Sequence, residues 1–467
     1  MQLFIQKTVL CLLFCYFCAN YLSAQDTLKI DLSQFIEMGL QNSGQLKFER
    51  RAVDFAENRI DEAKANRFLP SFDLRTLHGL VPGVKSDSIL PSGRPLPRNA
   101  LFLDPNLEND FNDLGIFTRV DVNAVQPIYT WGAIKNAVSA ARSGAIAAEH
   151  QLNSKKSGME LQLFELYFSY LLALETERIL QDAKNEIRRV GDALKEMRDE
   201  GDPDFEEADM FKFEIFESEF EIQRMEVEQG KDFVKRVWEY ALGDNRVVYE
   251  PENNFLDPVP FDIMDFEDYK RIAFEKRPEL LGVEAGMDAT KSAFEARKAQ
   301  NLPIIFLGLN VSYATTPNRP RQSNPFIVNN TNFFSAAFGF GVRQNLNFLQ
   351  IRSEVDKSRL EYKRMEDLRY AVSDGIILEL NKAYREAVIA ETKLKQIEIA
   401  LSITRNWVRH EQLNYDIGFG NPDNLIESIQ KELELRVELK QSVFELNKKV
   451  AELYKASGMP ITQLNLE

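Results

Sequence analysis

The chain has 467 residues, 44% hydrophobic and 28% charged, a balance that excludes a low-complexity or disordered polymer. Its formal net charge is −15, and no basic patch is interleaved with aromatics, which argues against nucleic acid as a partner. Cys11, Cys15 and Cys18 are the only cysteines, so everything beyond them can hold neither a disulfide nor a thiolate-bound metal.

Residues 1–24 read as a secretory signal peptide. Lys7 precedes the apolar run Thr8 to Phe17, and Leu22-Ser23-Ala24 supplies small residues before Gln25. No later stretch approaches the roughly 20 apolar residues of a transmembrane helix, so entry into a membrane would have to use strands.

A first repeat then occupies 25–243. Leu32 to Arg67 predicts a helix, with Ser33 as its N-cap and Pro70 just past its end. Strands of period near 2 follow at 71–80 and 117–127, separated by a proline-rich loop from Val81 to Ile116. A helix over 132–200 contains no proline and would be on the order of 100 Å long at 1.5 Å per residue. Its apolar residues Ala183, Ile187, Val190, Leu194 and Met197 recur at alternating spacings of four and three. Gly201-Asp202-Pro203-Asp204 ends it, with Asp202 and Pro203 opening the next helix over 205–242.

A linker at 244–265 leads into a second repeat at 266–458, followed by a C-terminal tail at 459–467. This repeat predicts a helix from Phe266 to Asn301, strands at 304–314 and 333–346, a long helix at 349–417 and a last helix at 424–457. The strand from Phe333 is the clearest, with Phe334, Ala336, Phe338, Phe340 and Val342 on one face and Ser335, Ala337, Gly339, Gly341 and Arg343 on the other. In the second long helix, Ile376, Leu380, Ala383, Ala387, Ala390, Leu394, Ile397 and Leu401 keep the same heptad rhythm. Landmarks correspond in order: Glu62-Ala63 with Glu295-Ala296, Pro70 with Pro303, Gln126 with Gln344, Tyr167 with Tyr384, and Gly201 to Asp204 with Gly420 to Asp423. One helix–strand–strand–helix–helix unit has been duplicated.

Each strand is long enough to cross a bilayer when tilted, roughly 9–11 residues. Four such strands cannot close a membrane barrel, because lipid does not tolerate an open sheet edge. Two copies would supply eight strands and three would supply twelve, and periodicity does not choose between them. The competing reading is a secreted coiled-coil scaffold without a pore.

The layout resembles the TolC-like outer-membrane efflux protein family over nearly the whole chain beyond the leader. The resemblance is carried by Ala63 with Leu69-Pro70 entering a strand, Gln126-Pro127-Ile128-Tyr129 with Gly132 entering the long helix, Tyr415-Asp416-Ile417-Gly418, and Gly458. It implies a mainly α fold with a β-barrel part: a homotrimer whose 12-stranded barrel sits in outer-membrane lipid and continues as a periplasmic α-helical barrel. It also implies partners, a periplasmic adaptor (membrane fusion protein) and an inner-membrane transporter, in an efflux or type I secretion system. Segments near Arg246 to Asp265 and beyond Gly458 would form an equatorial collar.

Little suggests an enzyme. His78, His150 and His410 have no neighbours at metal-ligand spacing, no glycine-rich phosphate loop or nucleophile elbow occurs, and no cofactor is implied. The helix tips carry the candidate site. Asp202, Asp423 and Glu427 fit helix N-termini, the reading favoured for Asp202; the competing reading, which suits Glu427 as well as the cap does, is a symmetry-repeated carboxylate ring that narrows a tunnel and favours cations. In the resemblance, Tyr415 matches a tip tyrosine that holds the closed state, and Asn424 and Glu427 match a pair of acidic ring positions. Gly420 stands where the family has an arginine. Asp416 and Asp423 flank this constriction, and adaptor docking would use Gly201, Asp202, Pro203, Asp204, Gly418 and Gly420.

Overall fold

The structure is a computed structural model that describes residues 27–68, 70–85, 108–201, 205–243, 247–319, 330–417 and 421–464. The chain forms two compact units, one of Met1–Arg51, His150–Leu281 and Tyr370–Glu467, the other of Ala52–Glu149 and Gly282–Arg369. The expected leader falls outside the described residues. Among the described residues no helix is long and apolar enough to cross a membrane.

In the first unit a short strand β1 (Thr27–Ile30) leads into helix α1 (Leu32–Asn42). Asp31, not the expected Ser33, is the N-cap. Its Oδ1 accepts the Gln34 amide at 2.7 Å while the Gln34 side chain accepts from the Asp31 amide, a reciprocal capping box. The helix expected to run unbroken to Arg67 is interrupted at Ser43, and α2 (Gly44–Phe68) follows. The second repeat breaks at the equivalent place, between α5 (Phe266–Lys276) and α6 (Pro278–Ala299). The cause there is explicit: Arg277 precedes Pro278, and a residue before proline is pushed out of the helical region, here to ψ 118°.

The linker carries an unexpected strand, β4 (Val248–Pro251), paired in parallel with β1. Four-residue strands are too short to show a period. The segment after β4 is strapped onto the helices. Val259 donates its amide to Asn447 Oδ1 at 2.8 Å, Asn447 Nδ2 returns a bond to the Asp257 carbonyl at 2.9 Å, and Leu256 donates to Glu175. Leu256, Val259 and Asn447 are fully buried.

The long helices are α3 (Ala133–Glu200), α4 (Glu207–Leu242), α7 (Phe348–Asp416) and α8 (Pro422–Ser457). Within the first unit they are cemented around Trp238, which stacks on Tyr167, packs at a tilt against Phe35 and donates its indole N–H to the Leu166 carbonyl. The expected seam of α7 is buried from Ile376 to Leu401, with Ala390 only partly covered. On α3, Ala183, Ile187 and Leu194 pack against Met210, Phe213 and Phe216 of α4. Gly191 permits that approach, since a Cβ there would stand 2.6 Å from the Phe213 ring.

The second unit holds a four-stranded antiparallel sheet of β2 (Ser71–Lys85), β3 (Glu108–Tyr129), β5 (Ile304–Thr315) and β6 (Phe333–Arg343), in the order β2-β3-β5-β6. The first hairpin extends beyond the expected strand ends into the proline-rich segment. A bulge between Pro82 and Gly83 accommodates the proline, which cannot donate to a regular ladder. The last strand stops at Arg343, three residues short of the expected end.

The register sorts the sheet into two faces. Phe72, Leu74 and Leu80 of β2 lie opposite Ala124, Val122 and Ile116, and these continue to Leu309, Val311, Phe338 and Ala336, an apolar surface. On the other face Arg119 pairs with Asp121, Ser312 donates to Asp121 at 2.6 Å, and Asn310 donates to Asn123 at 2.6 Å. The apolar side is the open one: Phe340 is 78% exposed. Among the described residues, neither β2 nor β6 pairs its outer edge.

Candidate functional site

The two helix tips belong to the first unit. At the first, α3 ends in Gly201 with φ +71°, the left-handed closure that glycine takes without strain, and α4 starts after Glu206. At the second, α7 ends at Asp416 and α8 starts with Asn421 as N-cap, its Oδ1 accepting the Asp423 amide at 2.8 Å, and Pro422 in the first turn. Asp202, Pro203, Asp204, Gly418, Gly420 and the Asp416 side chain lie outside what the structure describes.

Among the described residues, contacts of Tyr415 and Asp423 tie the two tips together. Tyr415 donates its hydroxyl to Met197 Sδ at 3.0 Å, joining the end of α7 to the end of α3. Asp423 pairs with Lys212 of α4 at 2.7 Å, and this hydrogen bond raises the Lys212 ammonium above its usual range. Both partners are partly solvated, so water screens the pair and its contribution is small. Beside Tyr415, a groove of about 170 Å³ opens between α3 and the second tip, lined by Glu186, Val190, Pro422 and Leu425.

Asn424 and Glu427 are set apart from these contacts. They stand three residues apart on one face of α8, both exposed, while Leu425, Ile426, Ser428 and Ile429 between and around them are buried. Glu427 makes no hydrogen bond or ion pair among the described residues. It sits in the second turn of α8, beyond the first turn where the helix dipole favours a carboxylate, and Asn421 already supplies the cap.

Lys212 and Asp209 are absent from the sequence reading, and Met197 enters it only through the apolar rhythm of the long helix, not as a partner of the second tip. Lys212 left a signal, being the only cation between Phe205 and Gln223 in an acidic run. Asp209, in the first turn of α4, is buried. Burial, reinforced by the charge of Asp423 and opposed by Lys212, raises its pKa above the usual carboxylate value. The folded tip therefore holds the Asp209 proton more tightly than the unfolded chain, so stability at this residue falls as pH rises through that raised value. Asp209→Asn is expected to raise the melting temperature at pH 7, with the gain shrinking toward zero at about pH 3, where both states are protonated. Equal melting temperatures at both pH values would remove this account. No group of His, Cys, Asp or Glu suited to a metal occurs among the described residues.

No protein-family model and no curated protein matches the sequence. Solved structures do match in fold. The outer-membrane channel OprN superposes with a TM-score of 0.72 at 13% identity, over 91% of this chain and 89% of its own. CusC, described as forming a transmembrane channel, gives 0.72 at 13% identity over 92% and 93%. The outer membrane protein VceC of Vibrio cholerae gives 0.71 at 14% identity over 92% and 96%. The chain has the TolC-like fold that its duplicated layout resembles, a helical body with a β-sheet part.

Proposed function

We propose that this protein is an outer-membrane channel, the exit duct of an efflux system, acting as a homotrimer rather than as an enzyme. Three copies would join their four-stranded sheets into a 12-stranded barrel in the outer membrane of a Gram-negative bacterium. Their long helices would form the periplasmic tunnel, entered from an inner-membrane transporter through a periplasmic adaptor docked beside Gly201 to Asp204 and Gly418 to Gly420. In this reading 1–24 is the leader, 25–243 and 266–458 are the two repeats, and 244–265 with 459–467 contribute the collar.

The observation that carries this reading is the sheet: apolar on one face, polar on the other, with two open edges. An apolar face with open edges is stable in lipid only if further strands cover those edges. The two edges belong to different strands, so copies would associate head to tail, the arrangement that closes into rings. Export through a type I secretion system is the finer alternative within the same reading.

At the tunnel end, Asn424 and Glu427 would line the constriction, with Asp416 and Asp423 beside them, while Tyr415–Met197 and Lys212–Asp423 hold the tips together. Planar-bilayer conductance of the detergent-purified protein tests both levels. We expect steady channels that prefer cations, and Glu427→Ala should weaken that preference. Channels indifferent to Glu427→Ala would retain the duct and remove the carboxylate ring. Protein that dissolves without detergent and never inserts would support the pore-free scaffold instead.

A further inference from the structure

Further along the helices from the tips, a cleft of about 360 Å³ lies between α4 and α8, with α3 beneath it. Its floor is apolar: Leu180, Phe216, Phe220 and Leu433 are buried, and Val227 and Val437 are partly covered. Pockets for small molecules begin near about 300 Å³, so the space suits an organic molecule rather than a bare ion.

The walls above that floor are acidic. On α4, Glu219 and Glu226 stand two helical turns apart, about 10 Å, with Gln223 between them. Glu434 and Glu438 line the side made by α8. Lys431 pairs with Glu434 at 2.9 Å and Lys393 with Glu438 at 3.3 Å, but neither lysine lines the cleft. Among the described residues no lysine or arginine lines it at all, Glu219 and Glu226 make no ion pair, and no hydrogen bond or ion pair crosses it from α4 to α8. A row of carboxylates on a helix is ordinarily just a solvated face. What distinguishes this one is the walled apolar space under it, which a water-filled surface would not need.

We propose that the cleft binds an amphipathic organic monocation, its apolar body against the floor and its charge among the carboxylates of Glu219, Glu226 and Glu434. Burial of the body is favourable roughly in proportion to its apolar area, while carboxylates without a cation of their own reject an anion. The same charge argues against a second copy as the occupant, because glutamate is depleted from the cores of protein interfaces. The exposed Phe211, Ile215 and Ile222 line a different groove of α4. Glu427, Glu434 and Gln441 recur every seven residues, so the cleft opens on the same face of α8 as the proposed constriction. That it opens into a tunnel rests on the duct reading above; the binding itself does not.

A dimethylaminostyryl-pyridinium dye, a monocation whose emission rises in apolar surroundings, tests the site on the full chain purified in detergent. Anilinonaphthalene sulfonate, apolar but anionic, is its counterpart. We expect saturable binding of the cationic dye, one per chain, and none of the anionic one. Glu219→Gln with Glu226→Gln should weaken binding about tenfold, as the loss of two partly solvated charge contacts implies. Glu217→Gln with Glu228→Gln removes the same charge from α4 outside the cleft and should leave the dye affinity unaltered. In planar bilayers the cationic dye should also block the current, at about tenfold higher concentration in the Glu219, Glu226 variant. Conducting channels with no saturable binding, or with binding that both double variants weaken equally, would overturn the site and leave the duct standing. Equal binding of the anionic dye would overturn the choice of a cation. Binding that follows the cleft variant in a protein that never forms channels would support the site and overturn the duct.

Discussion

Replacing Arg277 with methionine is expected to lower stability by about 2–4 kcal/mol. Arg277 is only 4% exposed, and its guanidinium donates to Glu279 at 2.8 Å, to Glu379 at 2.7 Å and to the Ala456 carbonyl at 3.1 Å. It thereby pins the break between α5 and α6 to α7 and to the end of α8. Methionine fills similar volume but leaves the Ala456 carbonyl without this donor, Glu279 without its cation and Glu379 with Lys455 alone. Those carboxylates are partly solvated, which keeps the loss below that of a fully buried pair.

The pH dependence has a definite sign. Burial raises the pKa of Glu379, but the Arg277 hydrogen bond and charge, with Lys455, outweigh it, so the folded value lies below the ordinary one. The stabilisation is complete above the unfolded value, about 4.3, and is lost as pH falls through the lower folded value. Arg277→Met should therefore flatten the acid limb of stability against pH as well as lower the plateau. Thermal unfolding from pH 3 to 7 would show it, and a variant within 1 kcal/mol of wild type throughout would contradict it.

How much of this was legible beforehand depends on the range over which each signal repeats. The strand at Phe333 alternates large and small residues through its length, so its faces could be read directly, and the seam from Ile376 to Leu401 declared itself by repetition. The duplication was visible because many landmarks agree in order. The breaks at Ser43 and Arg277 were not read, because the apolar pattern continues across each and only local backbone preference at Gly44 and Pro278 interrupts it. Both breaks occupy the same place in the two repeats, so comparing the halves could have exposed them. At the tips, Tyr415, Asn424 and Glu427 were named through resemblance alone, and their role is a proposal. Sequence could not reach the Lys212–Asp423 pair, which joins residues more than 200 apart and depends on how two helices pack.

The strongest expected effect on assembly lies on α4. This helix has two apolar faces. One, with Met210, Phe213, Phe216 and Phe220, is consumed inside the chain. The other presents Phe211, Ile215, Ile222, Met225, Phe233 and Tyr240 to the outside, with Ile215 and Ile222 at 60% and 61% exposure. A different helix, α7, exposes Leu378, Ile389, Ile399, Ile403 and Leu413, with Ile417 just past its end. Two unlike apolar seams on one chain match the head-to-tail logic of the unlike sheet edges. The double variant Ile215→Asp, Ile222→Asp should thus leave the fold of the single chain unchanged but prevent the proposed trimeric ring. Burying two isoleucines is worth about 1.5–3 kcal/mol each, and burying two unpaired carboxylates costs more still, so association should weaken by at least about a thousandfold per interface. Light scattering in detergent should then report single chains where the proposed assembly predicts trimers for wild type, with circular dichroism unaltered. Ile215→Leu with Ile222→Leu should assemble normally. Trimers persisting in the aspartate variant would mean that this seam faces water or another partner, and the ring would have to be held by the sheet edges alone.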